Sequence, residues 1–286
     1  MPEVPQSQAV LPATRRAAPT WSFALAVGSG ILVFYLLLAV LGPHIAPYGL
    51  DEQDLLSSLA APSRDHIFGA DALGRDVWSR VIVGTRFTMI AALVSVALAS
   101  VIGIFIGIVS GYVSGPIGAA FTALIDLLLT IPSLVLAIVI ASVISSGLTG
   151  LIVATTVTFI PPMARLVRGR TLEINVEDYI LAARALGASD ARVMFRHVLP
   201  NATTVIMVEA SLAAGQAVLV ATAPGFLGLG VPPPAPEWGT MLGEGREYLD
   251  SAPHLILYPA IAISLLILGF NLFGDGLRDR LDTRSE

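Results

Sequence analysis

Cysteine and lysine are absent from this 286-residue chain, and charged residues of either sign are scarce. Without cysteine it cannot form disulfides, zinc–thiolate sites or iron–sulfur clusters, and it has no cysteine nucleophile. Because all 16 basic residues are arginine, no lysine can reach nucleotide phosphates, so P-loop ATP hydrolysis is excluded. Only 13% of the residues are charged, which is too few to cover a water-facing surface. The lipid bilayer is therefore the expected solvent, as the mean hydropathy of +0.80 also indicates.

The apolar residues, 55% of the chain, are concentrated in stretches close to the roughly 20 residues that a membrane-spanning helix needs. The first stretch is longer than the apolar region of a signal peptide and is interpreted as an uncleaved anchor. The fourth contains Pro161 and Pro162, which neighbouring helices must accommodate. These features predict an all-α integral membrane protein of about six transmembrane helices, at residues 21–41, 87–109, 117–140, 151–166, 202–223 and 254–273.

The arginines predict the orientation, because cytoplasmic loops carry an excess of positive residues. With both termini inside, eleven arginines are cytoplasmic and five are external, and the external loops hold ten acidic residues. The predicted organisation is a cytoplasmic tail (1–20), a first helix with an external loop that contains an interfacial helix (21–83), a main transmembrane domain (84–275) and a second cytoplasmic tail (276–286).

The cytoplasmic loop at 167–200 carries the strongest functional signal. Glu177 and Asp178 suit the first turn of a short helix, Gly187 suits its left-handed stop, and Ser189 with Asp190 suits the start of a second helix. An apolar, small-sided helical loop outside the membrane is typical of a docking surface. The alternative is a helix pair that merely lies on or re-enters the membrane.

The loop resembles the EAA loop of binding-protein-dependent ABC importer permeases, which reads E-A-A-x-x-x-G and ends in L-P. Ala182, Ala183, Gly187, Leu199 and Pro200 match this pattern, whereas Leu181 replaces the family's glutamate. In that family the loop is the coupling helix, which sits in a groove of the ATPase subunit. The resemblance implies ATPase coupling through Tyr179, Ala182, Ala183, Leu186, Gly187, Ala188, Ser189, Arg196, Leu199 and Pro200.

Three further segments resemble the C-type subunit of dipeptide and oligopeptide importers. They begin at His66, Gly225 and Phe270, and they read HIFGADALGRDVWSR, GFLGLG and FNLFGDGLRD. The resemblance implies the type I importer permease fold and external loops near the site where a binding protein docks. The residues expected in these loops are Asp71, Gly74, Arg75, Asp76, Arg80, Phe226, Gly228 and Trp238.

The residues at 75–84 have apolar positions at helical spacing, which predicts an amphipathic helix on the outer membrane surface with Trp78 as its anchor. The family has a lid-like external element here, and simple anchoring is the alternative. In that alternative Arg75 and Asp76 pair with each other. The Gly/Pro-rich segment at 223–239 cannot form a lipid-exposed helix and is expected in water or against protein.

A four-residue glycine repeat predicts a small-residue ridge for close helix packing, formed by Gly103, Gly107, Gly111 and Gly115. Asp126 and Glu209 are acids inside predicted spans, which makes them candidates for the translocation path or its gate together with Gln216. For Asp126 the alternative is a structural ion pair or hydrogen bond near the interface. Glu209 lies three turns before Val220, the position of the family's usual acid, and we expect it to face the pathway and meet the ammonium group of a peptide.

The predicted function is a permease subunit that forms half of the pathway of an ATP-driven importer for di- and oligopeptides. Nickel chelates, glutathione and oligosaccharides are the alternative cargoes that the same branch serves. An intramembrane enzyme is a further alternative, although no G-x-S-x-G or H-E-x-x-H motif is present. The four dispersed histidines predict no metal site, and no basic stripe indicates nucleic acid.

The resemblance also implies the partners and the location. The expected partners are a homologous second permease, one or two ATPase subunits that bind the ATP and Mg²⁺, an extracytoplasmic binding protein and the peptide. The expected location is the prokaryotic inner membrane.

Overall fold

A computed structural model describes residues 23–144 and 146–282 of the chain, and these residues form helices and connecting loops. The all-α fold class is thereby confirmed. The predicted N-terminal tail and Trp21 lie outside the described residues, as do residues 283–286 at the C-terminus. The helices are α1 (Phe23–Ile45), α2 (Val77–Tyr112), α3 (Pro116–Leu129), α4 (Ser133–Ile144), α5 (Leu148–Asn175), α6 (Asp178–Ala185), α7 (Asp190–Val193), α8 (Leu199–Pro224), α9 (Trp238–Gly245) and α10 (His254–Asp282).

In this described part of the chain, five helical stretches are long and apolar enough to cross a membrane, namely α1, α2, α5, a run at 190–229 that contains α8, and α10. Each contains most of a predicted span. Within the run at 190–229 one π-helical turn, Met194–Val198, joins α7 to α8, and a second, Gly225–Leu229, follows α8 and contains a kink at Gly228, where φ is 84°. Helix α10 extends to Asp282, so the start of the predicted C-terminal tail continues the last span.

The third predicted span is a bent pair of helices and differs from the single helix expected at 117–140. Helices α3 and α4 meet at 95°. The break precedes Pro132, which cannot donate a helical hydrogen bond and disfavours helical geometry in the residue before it. Because the apolar run continues through the break, the hydropathy pattern does not reveal it.

Helix pairing shows that the bent pair crosses the bilayer. Gly103 lies next to Met163, Gly107 next to Val167, and Gly111 next to Thr171. Later residues of α2 thus contact later residues of α5. The two helices are therefore parallel and both run from outside to inside. The chain between them must return across the membrane, which makes α3 and α4 one broken span and gives six spans within the described residues.

The separate interfacial helix predicted at 75–84 is wrong. Helix α2 begins at Val77 and continues unbroken for 36 residues, with Asp76 as its N-cap. Its first turns are buried against neighbouring segments. Trp78 packs edge to face on Phe68, with ring centroids 4.6 Å apart, and so contributes to the external packing of this chain.

Three of the four ridge glycines lie where α2 meets α5. A Cβ atom at Gly107 would lie 2.6 Å from the Ala164 carbonyl oxygen, and Gly103 and Gly111 are equally tight. Gly115 does not belong to this ridge, because α2 ends at Tyr112 and Gly115 precedes α3 in open space with φ of 97°. Pro116 at the first position of α3 starts the new helix there.

The main apolar core lies toward the external side and joins α1, α2, α8, α9 and α10. Trp238 at its centre is fully buried and donates its indole N–H to the Val81 carbonyl oxygen at 3.0 Å. Tyr35 of α1 packs edge to face on this indole. The external helix α9 is thereby fixed to the membrane domain, and it places the residues described below.

Candidate functional site

The cytoplasmic loop folds locally as its sequence predicts. Helix α6 begins after Glu177 and ends at Ala185, and Gly187 follows with φ of +82°, a left-handed conformation that glycine adopts without steric cost. Ser189 caps α7, because its side-chain oxygen accepts from the Arg192 backbone N–H. Two short helices therefore protrude between α5 and α8.

Buried apolar residues attach the loop to the membrane domain. Ile180 of α6, Val193 of α7 and Val198 of the following π turn are fully buried. They belong to a second core that also contains Val167 and Ile174 of α5. The loop therefore has one side fixed by packing and one side free.

The free side exposes four large apolar residues among its charged ones. Leu186 is 89% exposed, Phe195 62%, Leu181 51% and Tyr179 43%. An apolar surface this exposed, on a loop outside the membrane, is typical of a binding interface. Of the other residues predicted for coupling, Ala182, Gly187, Ser189, Arg196 and Pro200 are exposed, whereas Ala183, Ala188 and Leu199 are half-buried.

A polar cluster behind the loop was missed by the sequence analysis. The Tyr112 hydroxyl donates to Asp190 Oδ1 at 2.7 Å, and the Arg184 guanidinium lies 4.9 Å from the centre of the Tyr112 ring. Arg184 also donates to the Asn175 side-chain oxygen. These four residues, Tyr112, Asn175, Arg184 and Asp190, are called the polar cluster below. Their separation by up to 78 residues leaves no local pattern to detect.

A buried ionic cluster occupies the external side. Arg75 Nε lies 2.6 Å from Asp71 Oδ2, and Arg80 Nε lies 3.5 Å from the same oxygen. Both arginines also contact Glu244 Oε2 of α9, at 3.2 and 3.3 Å. Glu244 was not predicted, since it lies 169 residues from Arg75. The cluster fixes the start of α2 to α9 and lines an external cavity of about 330 Å³.

Arg75 and Asp76 do not pair with each other, so that alternative is wrong. Asp76 accepts from the backbone N–H and the hydroxyl of Ser79, both at 2.8 Å, and thus caps α2. Its other oxygen lies 2.9 Å from His66 Nδ1. Gly74 turns with φ of +71° against the Asp54 backbone, where a side chain would clash. These contacts shape the external segment from within the chain.

The remaining external residues divide into a buried and an exposed group. Glu237 is buried and caps α9, where its carboxylate accepts from the backbone N–H groups of Gly239 and Thr240. Burial raises the pKa of the Glu237 carboxyl, although these hydrogen bonds act in the opposite direction. Phe226 and Gly228 are exposed, and the Arg246 guanidinium lies 5.8 Å from the centre of the Phe226 ring.

The candidate pathway residues lie at three separate places. Glu209 is half-buried and, with Ser100 and Pro162, lines a gap of about 10 Å³ between α8, α2 and α5. Gln216 is exposed on α8. Asp126 is exposed in a cytoplasmic crevice of about 530 Å³ that Arg168 also lines. Among the described residues the Asp126 side chain forms neither an ion pair nor a hydrogen bond, so the predicted structural alternative is absent here. Roles for these three residues stay predictions.

Within residues 23–144 and 146–282, no group of three or more histidine and acidic side chains has the arrangement of a metal site. The described residues instead show two attachments between the membrane helices and the segments outside the membrane. An exposed apolar loop is fixed to the ends of several membrane helices, and a buried ionic cluster fixes the opposite end of α2.

The chain is an inner-membrane permease of an ABC importer. It belongs to the family described as the binding-protein-dependent transport system inner membrane component, whose model matches residues 99–286. A second model, the N-terminal TM domain of oligopeptide transport permease C, matches residues 25–62. Together they place the chain among C-type permeases of the dipeptide and oligopeptide branch, as the sequence motifs predicted.

Individual relatives agree with this assignment. The glutathione transport system permease protein GsiD of Pectobacterium atrosepticum is 39% identical over 264 residues, covering 91% of this chain and 87% of the relative. The dipeptide transport system permease protein DppC of Alkalihalophilus pseudofirmus is 37% identical over 258 residues, covering 90% and 85%. The inward-facing MetNI methionine ABC transporter shares the fold, with a TM-score of 0.57 and 24% identity over 68% of this chain and 93% of that structure.

Proposed function

We propose that this chain forms half of the transmembrane pathway of a short-peptide importer and docks an ATPase through the α6–α7 loop. The observation that carries the proposal is the group of exposed large apolar residues on this loop, of which Leu186 is the most exposed. A surface of this kind is stabilised when a partner covers it. ATP and Mg²⁺ are bound by the partner ATPase, since this chain contains no lysine for a P-loop.

The leading test of ATPase docking replaces one exposed leucine. We expect Leu186→Glu to weaken retention of the ATPase about tenfold or more, because burying a leucine contributes about 1.5–3 kcal/mol and a carboxylate opposes burial. The measurement is the ratio of ATPase to permease after copurification in mild detergent over a salt and dilution series.

Leu56→Glu is the matched control, because Leu56 is 98% exposed on the external side. The control should retain the ATPase as the wild type does. Equal retention by Leu186→Glu, or failure of the wild-type chain to retain any ATPase, would contradict the docking proposal.

The broken third span supports a second permease as a partner. Thr130, Ile131 and Pro132 at the break are exposed on this chain alone. Irregular backbone at membrane depth is tolerated where protein covers it or where it lines a water-filled cavity. In the proposed transporter this break faces the second permease or the pathway between the two permeases. Its backbone polar groups are then covered by protein or water and not by lipid.

Closure of the ATPase subunits on nucleotide supplies the motion. It pushes the α6–α7 loop and swings the helices from an inward-open to an outward-open arrangement, which is a rigid-body change between two packed states. The binding protein delivers substrate to the external loops. Of the ten external acidic residues, Asp71, Asp76 and Glu237 are buried, and Glu244 is half-buried.

Short peptides are the proposed cargo because the two relatives above are named for dipeptide and glutathione transport. We expect dialanine or glutathione, presented by the cognate binding protein, to stimulate ATP hydrolysis by the complete transporter in proteoliposomes. Nickel–histidine and cellobiose are the comparison substrates. If nickel–histidine or cellobiose stimulates ATP hydrolysis and neither peptide does, the cargo is reassigned and the permease role is unaffected.

A further inference from the structure

The polar cluster connects four elements that meet at the cytoplasmic ends of the spans. Tyr112 is the last residue of α2, Asn175 is the last residue of α5, Arg184 lies in the last turn of α6, and Asp190 begins α7. Tyr112 is the central member, since its ring contacts Arg184 and its hydroxyl contacts Asp190. The coupling loop is thereby attached to α2 and α5 as well as to α8, which continues from it.

Packing alone holds α6 weakly. The helix has eight residues, fewer than an isolated helix needs to persist in water, and Ile180 is its one fully buried side chain. Its orientation relative to the spans therefore depends on its side-chain attachments. A hydrogen bond to a carboxylate and a cation over an aromatic ring are the strong forms of such attachments.

The position of the cluster matters for how a displacement is transmitted. The coupling loop follows α5 and precedes α8 in the chain, so the backbone connects it to these two spans directly. Helix α2 has no such backbone connection, because α3, α4 and α5 intervene. Apart from apolar packing, the contact of Tyr112 with Arg184 and Asp190 is what joins α2 to the loop.

We propose that Tyr112 is a positioning residue that makes the coupling loop and the cytoplasmic end of α2 move as one body when the ATPase acts. The inference rests on the proposed docking of the ATPase at this loop. Without the Tyr112 hydroxyl, the loop moves in response to nucleotide while α2 lags behind it.

The absence of native cysteine makes the motion directly measurable. Spin labels at Ala185→Cys, exposed at the end of α6, and Val101→Cys, 69% exposed on α2, report the distance between the loop and α2 in the complete transporter. The partner subunits carry no cysteine in this experiment. The distance is measured by pulsed electron spin resonance without nucleotide and after trapping with ATP and vanadate.

In the otherwise wild-type chain we expect one distance in both states, since the two elements move together. Tyr112→Phe keeps the ring under Arg184 and removes only the hydroxyl, so its mean distance should shift between states by about 2 Å or more, the scale of helix shifts in switching proteins. Tyr48→Phe is the matched control, because it removes a tyrosine hydroxyl that donates to the Asp65 carbonyl oxygen at 2.9 Å on the external side. The control should match the wild type.

Each other outcome overturns the inference in a recognisable way. An unchanged distance in Tyr112→Phe would show that the hydroxyl transmits no motion. A distribution broadened equally in both states would show local unfolding and hence a merely structural role. A state-dependent distance already present in the wild-type chain would show that the loop and α2 move independently. Failure of the wild-type chain to retain the ATPase would overturn the docking proposal as well.

Discussion

A Gly107→Ala chain is expected to melt well below the wild type, and Gly107→Val is expected not to accumulate in the membrane. The added Cβ would lie 2.6 Å from the Ala164 carbonyl oxygen and 2.7 Å from Val167 Cβ, so α2 and α5 would have to separate. Overpacking of this kind costs about 1–3 kcal/mol for one added methyl group, and backbone atoms yield less than a flexible side chain. The measurement is the thermal midpoint of the detergent-purified chain by size-exclusion chromatography after heating.

Gly169→Ala is the matched control within the same helix pair. Gly169 lies on α5 with no neighbouring atom within 4 Å, so alanine there meets open space. Since alanine favours a helix over glycine by about 1 kcal/mol, this variant should melt at or slightly above the wild-type midpoint. Equal midpoints for Gly107→Ala and Gly169→Ala would show that the close approach of α2 and α5 is not required.

Replacing Arg80 by methionine is expected to produce the second large loss of stability. The Arg80 side chain is 3% exposed and contacts Asp71 and Glu244, which would then share Arg75 alone. Removing one partner from a buried ion pair costs about 3–5 kcal/mol because the remaining charge stays buried, and we expect the lower end of this range because Glu244 is 37% exposed and both acids keep Arg75. The measurement is again the thermal midpoint, taken at low and at high salt, and we expect salt to change it little because Arg75, Arg80 and Asp71 are shielded from solvent, with side chains 6%, 3% and 12% exposed.

Arg170→Met tests whether burial is the reason. Arg170 pairs with Glu173 at 2.8 Å, a shorter contact than either from Arg80, but the two side chains are 41% and 66% exposed. Exposed pairs contribute little to stability, so this variant should melt close to the wild type. Combining Arg80→Met with Glu244→Gln should recover part of the loss. Equal losses from both single variants would contradict the role of burial.

The spans were predictable because a membrane helix needs a long apolar run, which survives in a one-dimensional pattern. The bend at Pro132 was not predicted, since the apolar run continues through it. The ridge prediction included Gly115 because its spacing is regular, yet spacing does not reveal that Pro116 starts a new helix. The predicted interfacial helix at 75–84 was wrong for a related reason. Its charged residues suggested a water-facing surface, whereas the fold pairs and buries them.

The coupling loop was predictable in local structure, because caps and a left-handed glycine act within a few residues. The contacts that hold it in place were not. Glu244 meets Arg75 and Arg80 across more than 160 residues, and Tyr112 meets Asp190 across 78. Such pairs depend on how the helices assemble, which a single sequence does not reveal without its fold.

The helical run at 190–229 gives the transporter a long lever. At about 1.5 Å per residue its 40 residues extend about 60 Å, from the coupling loop to the external mouth, where a kink at Gly228 lies next to its last residue. A tilt of about 5° at the cytoplasmic end would displace the far end by about 5 Å, if the run turns as a rod. A small push by the ATPase thus becomes a displacement as wide as one turn of helix at the outer mouth. The two π turns near the ends of the run are where such a rod would bend first.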